Sequence, residues 1–201
     1  MLFLCALPVV FYPTDRAWAG WSAAVYQGVQ RSAAAARSDV FDPTAFPDND
    51  DARRDDVVRT LALLKQRRLA MFADSAWELM GTQWQVTEPA GEITLDVRVV
   101  DTFTDALNGL PAARVEGVIA EGIANVPHPG QLAILDQDDR VAGLLEFSFI
   151  RPDAKALRLD IPRKHGFDGY IRNYHADQNY RLIVLQADTK RVLLLKQLDP
   201  R

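Results

Sequence analysis

The sequence predicts an α+β chain in which an N-terminal helical segment precedes an antiparallel β-sandwich of jelly-roll or immunoglobulin-like kind. Three observations predict it. Up to about residue 82, apolar residues recur at three- and four-residue spacing. From about residue 83 onward, alternation and turn chemistry replace that spacing. Short polar turns such as "DQDD" and "ADTK" then separate adjacent runs at hairpin distance.

The chain opens "MLFLCALPVVFYP", and its first charge is Asp15. A spanning helix needs about 20 apolar residues, so this run is short for one. Three readings stay open. It is the end of a longer transmembrane helix, with Tyr12, Trp18 and Trp21 at a membrane–water interface. It is the apolar part of a secretory signal, with "AWA" (Ala17 to Ala19) before Gly20 as a small-x-small cleavage site. Or it is a short core segment. Residues 16–37 then read as an alanine-rich helix, with Trp18, Trp21, Val25 and Val29 on one side.

"SDVFDPTAFPDNDD" (38–51) holds two prolines and five aspartates and reads as a connector. It lacks the Gly and Glu of a calcium-binding EF-hand loop. Its last aspartates are placed to cap the following helix. That helix is expected over about 52–73, with Val57, Leu61 and Leu64 in one stripe and Leu69 and Phe72 continuing it. "DSAWELMG" (74–81) is a short helix or turn closed by Gly81.

Candidate strands follow at 93–100, 113–124, 131–136, 140–149, 167–174, 180–187 and 191–198. Seven short strands without helical interruption predict the sandwich or a barrel. The expected organisation is an apolar membrane-proximal segment and helix (1–37), a linker (38–51), a helical segment (52–82) and a β-sandwich domain (83–201).

Composition bounds the function. The 201 residues are 48% hydrophobic and 25% charged, with net charge −4. That is long enough to bury a core without disulfides or metals. The first hundred residues carry 10 basic and 13 acidic side chains, the remainder 13 and 14. Neither half is basic, which argues against a nucleic-acid partner. Cys5 is the only cysteine, so there is no intramolecular disulfide and no cysteine-based zinc cluster. No Walker loop, dinucleotide fingerprint or G-x-S-x-G occurs, and no cofactor is expected.

The densest polar stretch is "HGFDGYIRNYHADQNYRLIV" (165–184). On one continuous strand Tyr170, Arg172 and Tyr174 share a face. Such a face can stack on a sugar ring and bond its hydroxyls, so these three are the candidate ligand-binding residues. The alternative is an ordinary outer sheet face. Phe167 is the expected core residue between Gly166 and Gly169, and His175 falls in a solvated turn. His128, His165 and Asp168 show no paired metal-ligand spacing, and no metal site is expected. Glu116, Glu121 and Glu146 lie on candidate strands, where carboxylates from neighbouring strands would serve a hydrolase.

"LKQRRLAMF" (Leu64 to Phe72) resembles the "LK-x-x-x-L-S-x-F" signature that often follows the last transmembrane helix of polytopic bacterial envelope proteins, membrane glycosyltransferases among them. Ala70 stands where that signature has serine. "RPDA", "GFDGYI" and "YRLIVL" resemble pieces of their C-terminal extracytoplasmic β-domain. The catalytic acidic loops of those enzymes lie among membrane helices, so no catalytic residue carries over. The resemblance implies a non-catalytic domain on the extracytoplasmic side of the inner membrane, in envelope glycan assembly. Its partners would be the membrane, through the N-terminal segment, and an envelope glycan. A secreted carbohydrate-binding module and a hydrolase using strand carboxylates are the rival expectations.

Overall fold

The computed structural model describes residues 28–46, 51–89, 91–121, 131–148, 165–186 and 191–198. The apolar start with Trp18 and Trp21, the "AWA" stretch, His128 and the "RPDA" loop lie outside these residues. Among the described residues no helix is long and apolar enough to cross a membrane.

The chain is strand-rich α+β, as the sequence predicts. Residues 28–37 are helical (α1), and α2 spans Asp51–Arg67. Two single 3₁₀ turns follow, Ala70–Phe72 and Ala76–Leu79. The strands are β1 Glu88–Pro89, β2 Thr94–Thr104, β3 Pro111–Glu121, β4 Gln131–Leu135, β5 Val141–Ser148, β6 His165–Arg172, β7 Tyr180–Gln186 and β8 Arg191–Leu198. All seven expected strands form, and the two-residue β1 is added.

The strands do not divide into two facing sheets. They join one eight-stranded sheet in the order β1-β8-β7-β4-β5-β6-β3-β2. Every pairing is antiparallel except the short β1–β8 contact. The sheet curls into a half-barrel. A single apolar cluster shows this: Leu95, Val97 and Val99 of β2 and Leu195 and Leu198 of β8 pack on the same buried core as Leu132, Phe167, Ile171 and Leu182. Strands near opposite ends of a sheet can share one cluster only if the sheet bends round it. Gly117 permits close packing on this concave side, because the Phe167 ring occupies the space a Cβ would need. A Cβ on Gly143 would meet the Tyr170 carbonyl on the neighbouring strand.

The convex face is covered in two halves. Leu79, Met80, Trp84 and Val86 lie over Ala133, Leu135, Leu144, Ile183 and Val192. The end of α1, residues 40–46 and α2 lie over Ala112 and Tyr170. The central strands β4 and β7 are therefore buried on both faces. This accounts for the nearly continuous apolar runs "LAIL" and "LIVL".

Residues 38–46, expected as linker, are part of this cover. Val40, Phe41, Ala45 and Phe46 are buried, and the two phenylalanine rings stack at 4.6 Å. Two buried aspartates hold the segment down. Asp105, between β2 and β3, accepts the Phe41 N–H at 3.1 Å. Asp42 accepts the Tyr170 hydroxyl at 2.8 Å. Asp42 and Pro43, which read as punctuation, thus belong to a docked loop held by buried hydrogen bonds.

The second helix stops at Arg67 rather than near residue 73. The Leu69 N–H bonds the Leu64 carbonyl at 2.9 Å and the Arg68 N–H the Lys65 carbonyl at 3.2 Å. Arg68 sits between them at φ 52°. This is a Schellman end with arginine where glycine is usual. Leu69 is consequently turned to solvent, while Phe72 stays buried. The first helix ends the same way: Val40 bonds Ala35 at 3.0 Å and Asp39 bonds Ala36 at 3.2 Å, with Asp39 at φ 52°.

Candidate functional site

Alternation along β6 decides where the expected site residues go. Phe167 and Ile171 face the concave core, whereas Tyr170 packs in the convex cluster. Tyr170 is 1% exposed, with Phe103 edge-on at 6.2 Å. Burial and the Asp42 hydrogen bond push its hydroxyl far above the ordinary tyrosine range. Arg172 lies at the strand end, 3.7 Å from Asp39. There β6 stops, and Asn173 turns the chain at φ 55°. The turn breaks the alternation and carries Tyr174 to the concave side. Tyr170, Arg172 and Tyr174 therefore do not form one face. The first is core, the second pairs with Asp39 at the end of α1, and Tyr174 packs on the concave side.

Tyr174 stacks on Tyr180 with ring centroids 5.5 Å apart and planes 23° from parallel. Tyr180 is 3% exposed, and burial raises its pKa. Its hydroxyl accepts the His175 N–H at 3.0 Å and donates to Gln178 Oε1 at 3.3 Å. This pair borders a cleft of about 170 Å³ between Val97–Val99 of β2 and Lys196–Leu198 of β8. Here the barrel fails to close. The outer edge of β8 carries only β1, at Leu193 and Leu194. Both edge strands also lose regular register near the gap, between Val99 and Asp101 in β2 and opposite Leu182 and Ile183 in β8. Such bulges bend a strand away from a ladder and re-aim its side chains. In register with Leu182, Lys196 falls on the concave side. It forms no ion pair among the described residues.

The second polar assembly lies on the convex face, under α1. Glu116 of β3, Asp168 of β6 and Glu146 of β5 are direct register partners. Of the three strand carboxylates noted in the sequence, Glu116 and Glu146 thus flank Asp168. Side chains so paired stand about 4.5–5.5 Å apart at Cβ. Three arginines enter the row. Arg31 and Arg114 each approach Glu116 at 3.8 Å. Arg37, only 9% exposed, bridges Glu146 and Asp74 through its two terminal nitrogens. Although burial pulls Arg37 down, its two carboxylates more than offset this and hold its pKa above the ordinary value. Asp168 is raised, first by burial, with Glu116 adding to it and Arg31 opposing. Its Oδ1 is buried without a hydrogen-bond partner. Among the described residues no group of His, Cys, Asp and Glu is arranged to hold a metal ion.

Gln178, Tyr180 and Lys196 were not singled out by the sequence. A lysine inside "VLLLKQL" was a visible signal. The bulge that puts it on the concave side was not. No family model matches the chain, no curated protein matches it, and no solved structure matches it.

Proposed function

We propose that this chain is a non-catalytic binding domain that holds a sugar in the seam of its half-barrel. The Tyr174–Tyr180 pair carries the reading. Two stacked rings border a cleft whose remaining walls combine Val97, Val99, Ile171 and Leu198 with Gln178 and Lys196. An apolar wall with a few polar groups suits a sugar, which offers both a hydrophobic ring face and hydroxyls. The setting is envelope glycan assembly on the extracytoplasmic side of a bacterial inner membrane, with residues 1–13 as the membrane attachment. The resemblance of "LKQRRLAMF", "RPDA", "GFDGYI" and "YRLIVL" supports that part.

The test is an array of envelope glycans probed with the full chain and with Tyr174→Ala, alongside thermal melts of both. Binding by the wild type, lost in a variant that still melts cooperatively, is expected. Undiminished binding by Tyr174→Ala would move the site elsewhere. For the setting, N-terminal sequencing of the expressed product is the check. A mature start at Gly20 would favour a secreted module over an anchored domain.

One observation favours a hydrolase as second reading: the in-register Glu116, Asp168 and Glu146. A glycosidase needs two carboxyl groups, one ionised and one protonated. Asp168, with its raised pKa, fits the protonated member. Arg31, Arg114 and Arg37 already engage the other two, which fits latching α1 to the sheet better than chemistry. Glycan hydrolysis abolished by Asp168→Asn would reverse that preference.

A further inference from the structure

We infer that the seam cleft selects a sugar carrying one anionic group, with Lys196 binding that group. The inference rests on the sugar reading of the same cleft and names the class of sugar.

The concave face is otherwise built of aliphatic and aromatic side chains. Lys196 stands among them, in register with Leu182 and near Leu195 and Leu198. An ammonium in such surroundings needs water or a counter-charge. It has no carboxylate partner among the described residues. Asp136 and Asp177 are close enough to act electrostatically on Tyr180, yet neither pairs with Lys196. Arg98 of β2 stands between Val97 and Val99 and so falls on the opposite face, across from Glu116. A chain of net charge −4 thus places at this gap a lysine that has no ion pair among the described residues. Several other cations do hold carboxylates, among them Arg37, Lys65, Arg68, Arg181 and Arg191.

Size narrows the class. Pockets for drug-sized ligands run to about 300–1,000 Å³, and this cleft is about 170 Å³. It accommodates one ring, not an oligosaccharide. The tyrosine pair supplies the ring platform, the Gln178 amide meets a hydroxyl, and the ammonium meets a carboxylate or a phosphate. An acidic sugar ring combines these features. A uronic acid and a sugar phosphate present the same chemistry to Lys196.

The experiment titrates the full chain, in mild detergent, with glucose, glucuronate and glucose 1-phosphate, following amide shifts by NMR. At least one acidic sugar is expected to bind ten-fold or more tightly than glucose, with the advantage shrinking as salt rises. Which of the two wins distinguishes carboxylate from phosphate. Lys196→Gln is expected to erase the advantage while keeping the fold, as judged by its melt. Equal binding of glucose and the acidic sugars, lost in Tyr174→Ala, would overturn the charge selection and leave the sugar reading standing. An acidic preference unchanged in Lys196→Gln would also overturn it. Binding of none of the three would remove both.

Discussion

The two faces of the sheet treat charge differently. On the convex face, Glu116, Asp168 and Glu146 are interleaved with Arg31, Arg37 and Arg114, and α1 closes over them. On the concave face, apolar residues dominate and one ammonium, Lys196, stands without a carboxylate among the described residues. Matched charges under a helix hold that helix in place. An unmatched charge at an open seam holds no element in place and is left to solvent or a ligand. The larger and more conspicuous polar cluster is therefore the structural one, and the small cleft is the functional candidate.

The largest effect should come from the concave core. Phe167 is 1% exposed and its ring covers Gly117. Phe167→Ala should cost about 3–5 kcal/mol in urea unfolding. A loss under about 1 kcal/mol, the range of surface changes, would show that the concave face is not a packed interior. Arg37→Met comes next. Removing one partner of a buried ion pair costs about 3–5 kcal/mol. Glu146 and Asp74 keep 31% and 62% of their side-chain surface, so the lower end is expected. The m-value should stay constant if only the latch is lost.

Tyr170→Phe follows. As an outer-face residue it would cost under about 1 kcal/mol. Because it is buried against Asp42, removing the hydroxyl should cost about 1–3 kcal/mol, leaving a buried carboxylate oxygen short of a donor. Equal stability of variant and wild type would mean that residues 38–46 do not hold the convex face through this bond.

How far the sequence could be read follows from such residues. Strand positions were legible because alternation and turn residues are local signals, and each expected strand lies near its predicted place. Helix α2 was legible except for its end, since arginine at a left-handed C′ position gives no warning that glycine would. The closing of the strands into one curled sheet was not legible. It depends on β3–β6, β5–β6 and β4–β7 pairings between segments distant in sequence. The candidate site was half legible. Tyr174 was named, but its companions were misassigned because Asn173 at φ 55° breaks the parity that assumed one straight strand.

Asp168 tests the convex row through pH. Its pKa is raised in the fold, chiefly by burial. A group raised in this way favours the fold fully below its unfolded pKa, and the benefit is lost as pH rises through the folded value. At neutral pH, above the unfolded value, Asp168 is therefore a burden that a neutral amide would lack. Asp168→Asn should melt above wild type at pH 7. The gap should close as pH falls through the raised value toward the ordinary carboxyl range near 4. A variant less stable than wild type at pH 7, with the gap unchanged in acid, would mean that the arginines hold Asp168 ionised.

The smallest expected effect belongs to Lys196. Arg37→Met and Lys196→Met make the same kind of change, a cation to an apolar chain, on opposite faces. Lys196 is half-buried, and its head has no ion pair among the described residues. A lysine stem packs against apolar neighbours while its ammonium seeks solvent, and methionine reproduces the stem. Nothing charged is left stranded by its loss. Lys196→Met should therefore stay within about 0.5 kcal/mol of wild type, where Arg37→Met loses several-fold more. Urea midpoints of the two variants, measured side by side, read the contrast directly. A cost for Lys196→Met approaching that for Arg37→Met would show that the ammonium has a structural partner at the seam, and the two faces would then obey the same rule.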